Sequence, residues 1–150
     1  MRMLTIFALL FAFLATGGSA QASRTAVDSL IKDYRGIFIG TQKDAVRQKL
    51  GDPKNEFPEE DDFEISDNES VRIFYSPDKT VKAIVVTYSG NISGAPSPKD
   101  VVGEAIEPRP DGGMYKMVRV EEKGFWVSYV KIAGDTPSVI ITVQSLPKAS

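Results

Sequence analysis

The chain has 150 residues, with 18 basic and 20 acidic side chains, and it contains neither Cys nor His. These two absences exclude disulfides, metal sites built on Cys or His, thiol nucleophiles and catalytic triads that need His. The formal charge of −2 provides no basic footprint for nucleic-acid binding. Any enzyme of this composition would have to use carboxylate, Lys or hydroxyl chemistry.

The first twenty residues have the pattern of a secretory signal peptide. Arg2 supplies a positive charge, an apolar run extends over residues 4–15, and small residues lead to cleavage after Ala20 or Ala22. The apolar run is too short to cross a bilayer, and no Cys is available to carry a lipid anchor. The sequence therefore predicts a periplasmic or secreted protein with no membrane span and no lipid anchor.

The mature chain is predicted to begin with two helices. Apolar residues at helical spacing predict a helix over 24–35, which Gly36 would end in the left-handed conformation. A second helix is predicted over 42–50, opened by Thr41 and Asp44 as a capping box.

The rest of the chain is predicted to contain mainly strands and loops. The acidic residues 54–62 indicate an exposed loop, and the Ser-, Gly- and Pro-rich residues 91–97 indicate a linker. A third helix is predicted over 98–106, directly after this linker. Runs of β-favouring residues predict strands at 63–65, 71–75, 81–88, 114–121, 125–132 and 138–144.

The pattern after the linker repeats the pattern before it. A shift of 56 residues places Thr41 on Ser97, Val71 on Val127 and Ile84 on Ile140. We therefore predict one unit over residues 21–90 and a second over 98–150. Together they predict an α+β fold of two tandem helix-plus-antiparallel-strand units, with the helices packed on one face of the sheet.

The last strand of each unit conflicts with this single shift. The apolar residues of the first are Ile84, Val86 and Tyr88, whereas those of the second are Val139, Ile141 and Val143. Because successive strand residues face opposite sides, a shift of 56 would direct the two apolar sets to opposite faces. The sequence leaves this conflict open.

A family resemblance is carried by the run from Gly36 to Thr41, followed by Asp44, Val46, Leu50, Gly51 and Pro53 and then by a strand pair. This pattern resembles the small outer-membrane assembly lipoproteins of the SmpA/OmlA type. Its doubled form is similar to the tandem-repeat β-lactamase inhibitor proteins, which are built from two such units. The chain lacks the anchoring Cys of the former and the disulfides of the latter. The resemblance implies a non-enzymatic module that binds another protein.

Aromatic and Arg side chains on the predicted strands form the candidate partner-binding site. The repeat places Arg72 and Phe74 on the same strand face as Trp126, opposite to the face that the helices are expected to cover. Such residue types dominate binding hot spots, and the expected partner is another envelope or secreted protein. The candidate set is Arg72, Phe74, Tyr115, Arg119 and Trp126. Alternatively, Phe74 and Trp126 belong to a second small core.

The acidic residues allow functions of other classes. Asp61, Asp62 or Glu64 could serve a small envelope hydrolase or a carbohydrate-binding protein if a cleft collected them. The stretch Glu59–Asp62 could hold a hard cation, but it lacks the spacing and glycine of a calcium loop. A structural subunit that assembles through strand edges is a third alternative. The sequence predicts no catalytic residue, no metal site and no cofactor.

Overall fold

A computed structural model describes residues 30–147. The predicted signal peptide, residues 1–20, lies outside this range. The elements are, in chain order, β1 (Asp33–Tyr34), β2 (Ile37–Phe38), α1 (Lys43–Leu50), β3 (Asn55–Phe57), β4 (Glu60–Ser66), β5 (Glu69–Tyr75), β6 (Val81–Ser89), α2 (Pro98–Val102), β7 (Met114–Val120), a 3₁₀ turn (Glu121–Lys123), β8 (Phe125–Ile132) and β9 (Ser138–Ser145).

Seven strands form one antiparallel sheet in the order β3-β4-β5-β6-β9-β8-β7, and β1 and β2 form a separate hairpin. In each half of the chain a helix precedes three consecutive paired strands, β4–β6 in one half and β7–β9 in the other. The halves meet where β6 pairs with β9, from Ala83 opposite Gln144 to Ser89 opposite Ser138. The strands on the two sides of residues 91–97 thus share one sheet.

The prediction of an α+β fold is wrong, because the structure is mostly β. About 47% of the described residues lie in strands and only 14% are helical. The helix predicted over 98–106 stops at Val102, because Gly103 adopts a left-handed conformation (φ 80°) and its N–H donates to the Lys99 carbonyl. Within residues 30–147, no helix is long and apolar enough to cross a membrane.

The helix predicted over 24–35 is also absent from the part that the structure describes, residues 30–35. Asp33–Tyr34 instead pairs with Ile37–Phe38 through a turn at Arg35 and Gly36, which have positive φ angles of 52° and 74°. Two-residue turns with this geometry suit the twist of a hairpin. Gly36 is therefore left-handed, as the sequence indicated, but it joins two strands and does not end a helix.

The capping box predicted for α1 is wrong, whereas its counterpart is present on α2. The Thr41 hydroxyl accepts a hydrogen bond from the Phe38 N–H (3.0 Å), and Gln42 precedes α1 without a side-chain cap. At α2, the Ser97 hydroxyl accepts from the Asp100 N–H (3.3 Å) and the Asp100 carboxylate accepts from the Ser97 N–H (3.2 Å). The turn at β2 therefore occupies the side chain that would have capped α1.

The region predicted as an exposed acidic loop contains β3 and the start of β4. Asn55–Phe57 pairs with residues 60–62, and the acidic side chains alternate across the strand. Asp61 is fully buried, whereas Asp62 is only partly buried and faces the other side. The loop prediction fails because cations that are distant in sequence neutralise these carboxylates.

The two faces of the sheet differ in what lies against them. We call the face that carries both helices the covered face and the opposite one the open face. On the covered face, Val46 of α1 belongs to a buried cluster with Ile73, and Val101 of α2 belongs to a second cluster with Val127. Ile39 and Tyr88 pack against both clusters. The hydrophobic core therefore lies on the covered face.

Strand pairing resolves the conflict between the last strands of the two halves. Ile84 lies opposite Val143, and Val86 lies opposite Ile141, so both apolar sets face the covered side. The register of β5 with β6 shifts by one residue between Phe74 and Tyr75, and the β8–β9 register shows no such shift. This bulge reverses which residues of β6 face the core. A shift of 56 residues therefore preserves the face in β5 and β8 but not in β6 and β9.

Candidate functional site

All five residues of the candidate partner-binding site lie on the open face. One row across five neighbouring strands contains, in order, Phe74, Ala83, Gln144, Trp126 and Arg119. Arg72 lies two residues from Phe74 along β5, and Tyr115 lies four residues from Arg119 along β7, so both face the same side.

The structure brings some of these side chains together and separates others. Trp126 lies directly opposite Arg119 on the neighbouring strand. Phe74 is three strands away from Trp126 in the same row, which corresponds to about 14 Å between backbones. The five residues therefore do not form one compact patch.

No second core lies on the open face within the part of the chain that the structure describes. Of the buried residues in the seven-stranded sheet, only Ala83 and Ser128 face the open side. Both are small and are covered by larger neighbours on the same face, whereas Phe74 and Trp126 remain half-buried. Nothing in residues 30–147 thus supports the alternative that these two aromatic residues belong to a second core.

Ion pairs neutralise one side of the open face. Arg72 Nε lies 2.9 Å from a carboxylate oxygen of Glu60 and 2.9 Å from one of Asp62. Burial raises the pKa of Glu60, and the nearby Asp62 carboxylate also raises it, whereas Arg72 lowers it. The Arg72 guanidinium is therefore engaged by two carboxylates of its own sheet, which sequence reasoning missed because it assigned them to a loop.

The other side of the open face is apolar. Tyr115 is 51% exposed, Met117 42% and Ile132 50%, and they flank the half-buried Trp126 and Val130 on β7 and β8. We call these five residues the apolar zone. Sequence reasoning missed Met117, Val130 and Ile132, although their alternation with inward-facing residues of the same strands was a usable signal. Contiguous exposed apolar residues on a folded protein mark interaction sites.

A shallow hollow of about 210 Å³ lies beside the apolar zone on the open face. Ala83 forms part of it because its methyl group leaves space between the longer side chains of Phe74 and Gln144. Lys82, Val85 and Ser145 complete the lining. The hollow could receive one side chain of a partner.

The covered face contains a buried ion cluster around Asp61, which has no exposed surface. Arg47 of α1 donates to both Asp61 oxygens, from Nε at 3.0 Å and from a terminal nitrogen at 2.9 Å. The Tyr75 hydroxyl donates at 3.0 Å, and Lys43 Nζ lies 3.3 Å away. Arg47 also pairs with Glu56 at 2.6 Å. The cluster joins α1 to β4 and β5.

The carboxylates proposed for the hydrolase alternative do not converge. Asp61 lies on the covered face, whereas Asp62 and Glu64 lie on the open face. Asp62 pairs with Arg72, and Glu64 pairs with Lys54. Within residues 30–147, no group of three or more acidic side chains is placed to hold a metal ion.

The pKa of Asp61 lies below its ordinary value. Burial raises it, but hydrogen bonds from Arg47, Tyr75 and Lys43 outweigh burial. A carboxylate whose pKa is lower in the folded state stabilises the fold above its unfolded pKa, and this contribution is lost as the pH falls through the folded value. The Asp61 contribution is therefore complete at neutral pH and decreases below about pH 4.

This direction predicts a pH-dependent difference between the wild type and Asp61→Asn, which has no titrating carboxylate. The gap between their unfolding free energies should be largest at neutral pH and should narrow below about pH 4. Urea denaturation at several pH values measures it. Glu56 and Asp100, whose pKa values are also lowered, titrate in both proteins and cancel. A gap independent of pH would contradict the prediction.

No family model, curated protein sequence or solved structure matches the chain. The functional argument therefore depends on the geometry of the open face.

Proposed function

We propose that this chain is an exported, non-enzymatic protein-binding module of the bacterial envelope or the extracellular space, which engages its partner through the open face. The observation that carries the proposal is the apolar zone, because it is exposed on a sheet whose core lies entirely against the other face. The signal-peptide pattern of residues 1–20 supports export.

The composition of the open face fits protein recognition. Trp126 and Tyr115 offer large contact areas with polar tips, and Arg119 adjoins Trp126 on the next strand. The strands hold these side chains on a rigid sheet, so binding costs little ordering of the backbone. We place the centre of the contact at the apolar zone and the hollow beside Ala83, with Arg72 and its carboxylates at the rim.

The proposal includes the resemblance to the SmpA/OmlA-type lipoproteins and to the tandem-repeat inhibitors. The same element order in the two halves, a short helix followed by three antiparallel strands, supports that relation. The identity of the bound protein does not follow from it.

Alanine substitutions on the open face test the function. Trp126→Ala should weaken binding by about 2 kcal/mol, roughly thirtyfold, because it removes a large anchor. Phe74→Ala should have a smaller effect, and neither change should lower the melting temperature by more than a few degrees. Capture from envelope extract, followed by titration of the captured protein, measures both variants and their combination.

Gln48→Ala is the matched control, because Gln48 is exposed on α1 at the covered side of the sheet. It should bind like the wild type. Equal capture by the wild type and a folded Phe74→Ala/Trp126→Ala variant would reject the open face as the site. Unfolding of that variant would instead assign the two aromatic residues to the core.

A further inference from the structure

The two edges of the seven-stranded sheet are unequal. One edge is β3, which has three exposed residues and is followed by Pro58. The other is β7, which has seven residues and contains neither Pro nor Gly. Short strands and proline are common protections against edge-to-edge pairing. The β3 edge has both, and β7 has neither.

The backbone hydrogen bonds identify the free groups of β7. The Leu146 N–H donates to the Gly124 carbonyl (2.8 Å), and the β8–β9 register continues without a shift. Even-numbered residues of β8 therefore bond to β9, and odd-numbered ones bond to β7. Because Val127 of β8 lies opposite Val118, the even-numbered residues of β7 bond to β8. The N–H and C=O groups of Tyr115, Met117 and Arg119 consequently point away from the sheet.

These groups have no backbone partner among the described residues. The turn, loop and cap hydrogen bonds of residues 30–147 include none from Tyr115, Met117 or Arg119. Three consecutive outward pairs of donors and acceptors can accept one further antiparallel strand.

We propose that β7 is a self-association edge, at which two copies of this chain pair antiparallel about Met117. In this register Met117 meets its own equivalent, and Tyr115 meets Arg119 of the second copy at both ends. The three outward residues of each copy then form six N–H···O bonds. The two sheets join into one of fourteen strands, with both open faces on the same side.

Side-chain chemistry selects this register over its neighbours. Centring the pair on Met117 places Lys116 opposite Val118 of the second copy and each Tyr115 ring beside an Arg guanidinium, which is a favourable cross-strand pair. Only Nε of Arg119 is bound, to Glu121 at 2.9 Å. Centring on Lys116 would instead oppose two lysines, which destabilises antiparallel pairs.

Sedimentation velocity over a range of concentrations tests the proposal, with protein expressed from the full-length chain and purified as the cell processes it. The wild type should change from monomer to dimer in the micromolar range, as expected for a small interface. Tyr115→Arg should raise the dissociation constant at least about tenfold, because it opposes two arginines at each end. Combining it with Arg119→Glu should restore the dimer, since opposite charges then meet.

Met117→Pro provides a second probe that keeps the fold. It removes only an outward N–H at the centre of the edge, so the β7–β8 ladder and the melting curve should survive while the dimer is lost. The Phe74→Ala/Trp126→Ala variant should dimerise like the wild type, so that this test and the binding test fail independently. A wild type that stays monomeric at millimolar concentration, no rescue by the double variant, or dimer loss through Phe74 and Trp126 would each overturn the proposal.

Discussion

Asp61→Ala is expected to remove about 3 kcal/mol from the free energy of unfolding, since breaking a buried ion pair leaves uncompensated charge in a low-dielectric site. The variant leaves Lys43 and the Tyr75 hydroxyl without the carboxylate that each contacts. Arg47 keeps its pair with the exposed Glu56, which places the loss at the lower end for such clusters. Urea denaturation at neutral pH measures it.

Glu64→Ala is the matched control for this change. It removes a carboxylate of the same strand that pairs with Lys54, and both of these side chains are more than half exposed. Exposed pairs contribute little, so the control should change stability by about 0.5 kcal/mol or less. Similar losses in the two variants would show that Asp61 does not join α1 to the sheet.

Ile141→Ala should cost about 3 kcal/mol, whereas the same change at the adjacent Ile140 should cost about 1 kcal/mol. Ile141 is 3% exposed in the core of the covered face, and Ile140 is half-buried on the open face. Truncating the former creates a cavity, and truncating the latter leaves a site that water can fill.

This pair identifies the core face with one residue type on one strand. Thermal and urea denaturation of the two variants, measured side by side, give the comparison. A larger loss at Ile140 would reverse the two faces and would remove the basis for a binding site on the open one. It would also favour the shift of 56 residues in the last strand.

The strands were largely predictable because their signal is local. Runs of alternating or β-branched residues placed β5, β6, β8 and β9 within a residue or two of their observed bounds. The same alternation placed Trp126 and Phe74 on a common face, where the structure also has them.

The helices were not predictable, because short apolar segments suit several structures. Leu30, Ile31 and Tyr34 have helical spacing, yet the hairpin at Arg35–Gly36 holds this region against the sheet. The Tyr34 hydroxyl donates to Glu69 (2.7 Å), a contact between residues 35 positions apart. Such tertiary contacts outweigh the small differences in helix propensity.

By itself, the sequence determined which side chains alternate within each strand, where the glycine turns fall, and the composition that excludes Cys and His chemistry. Only the tertiary structure decided that β6 pairs with β9 in one sheet, that a bulge at Phe74 reverses the face of β6, and that Asp61 is buried beside Arg47. The physical reason is the range of the interactions. Alternation and turns depend on neighbouring residues, whereas strand order, register and charge burial depend on contacts between distant segments.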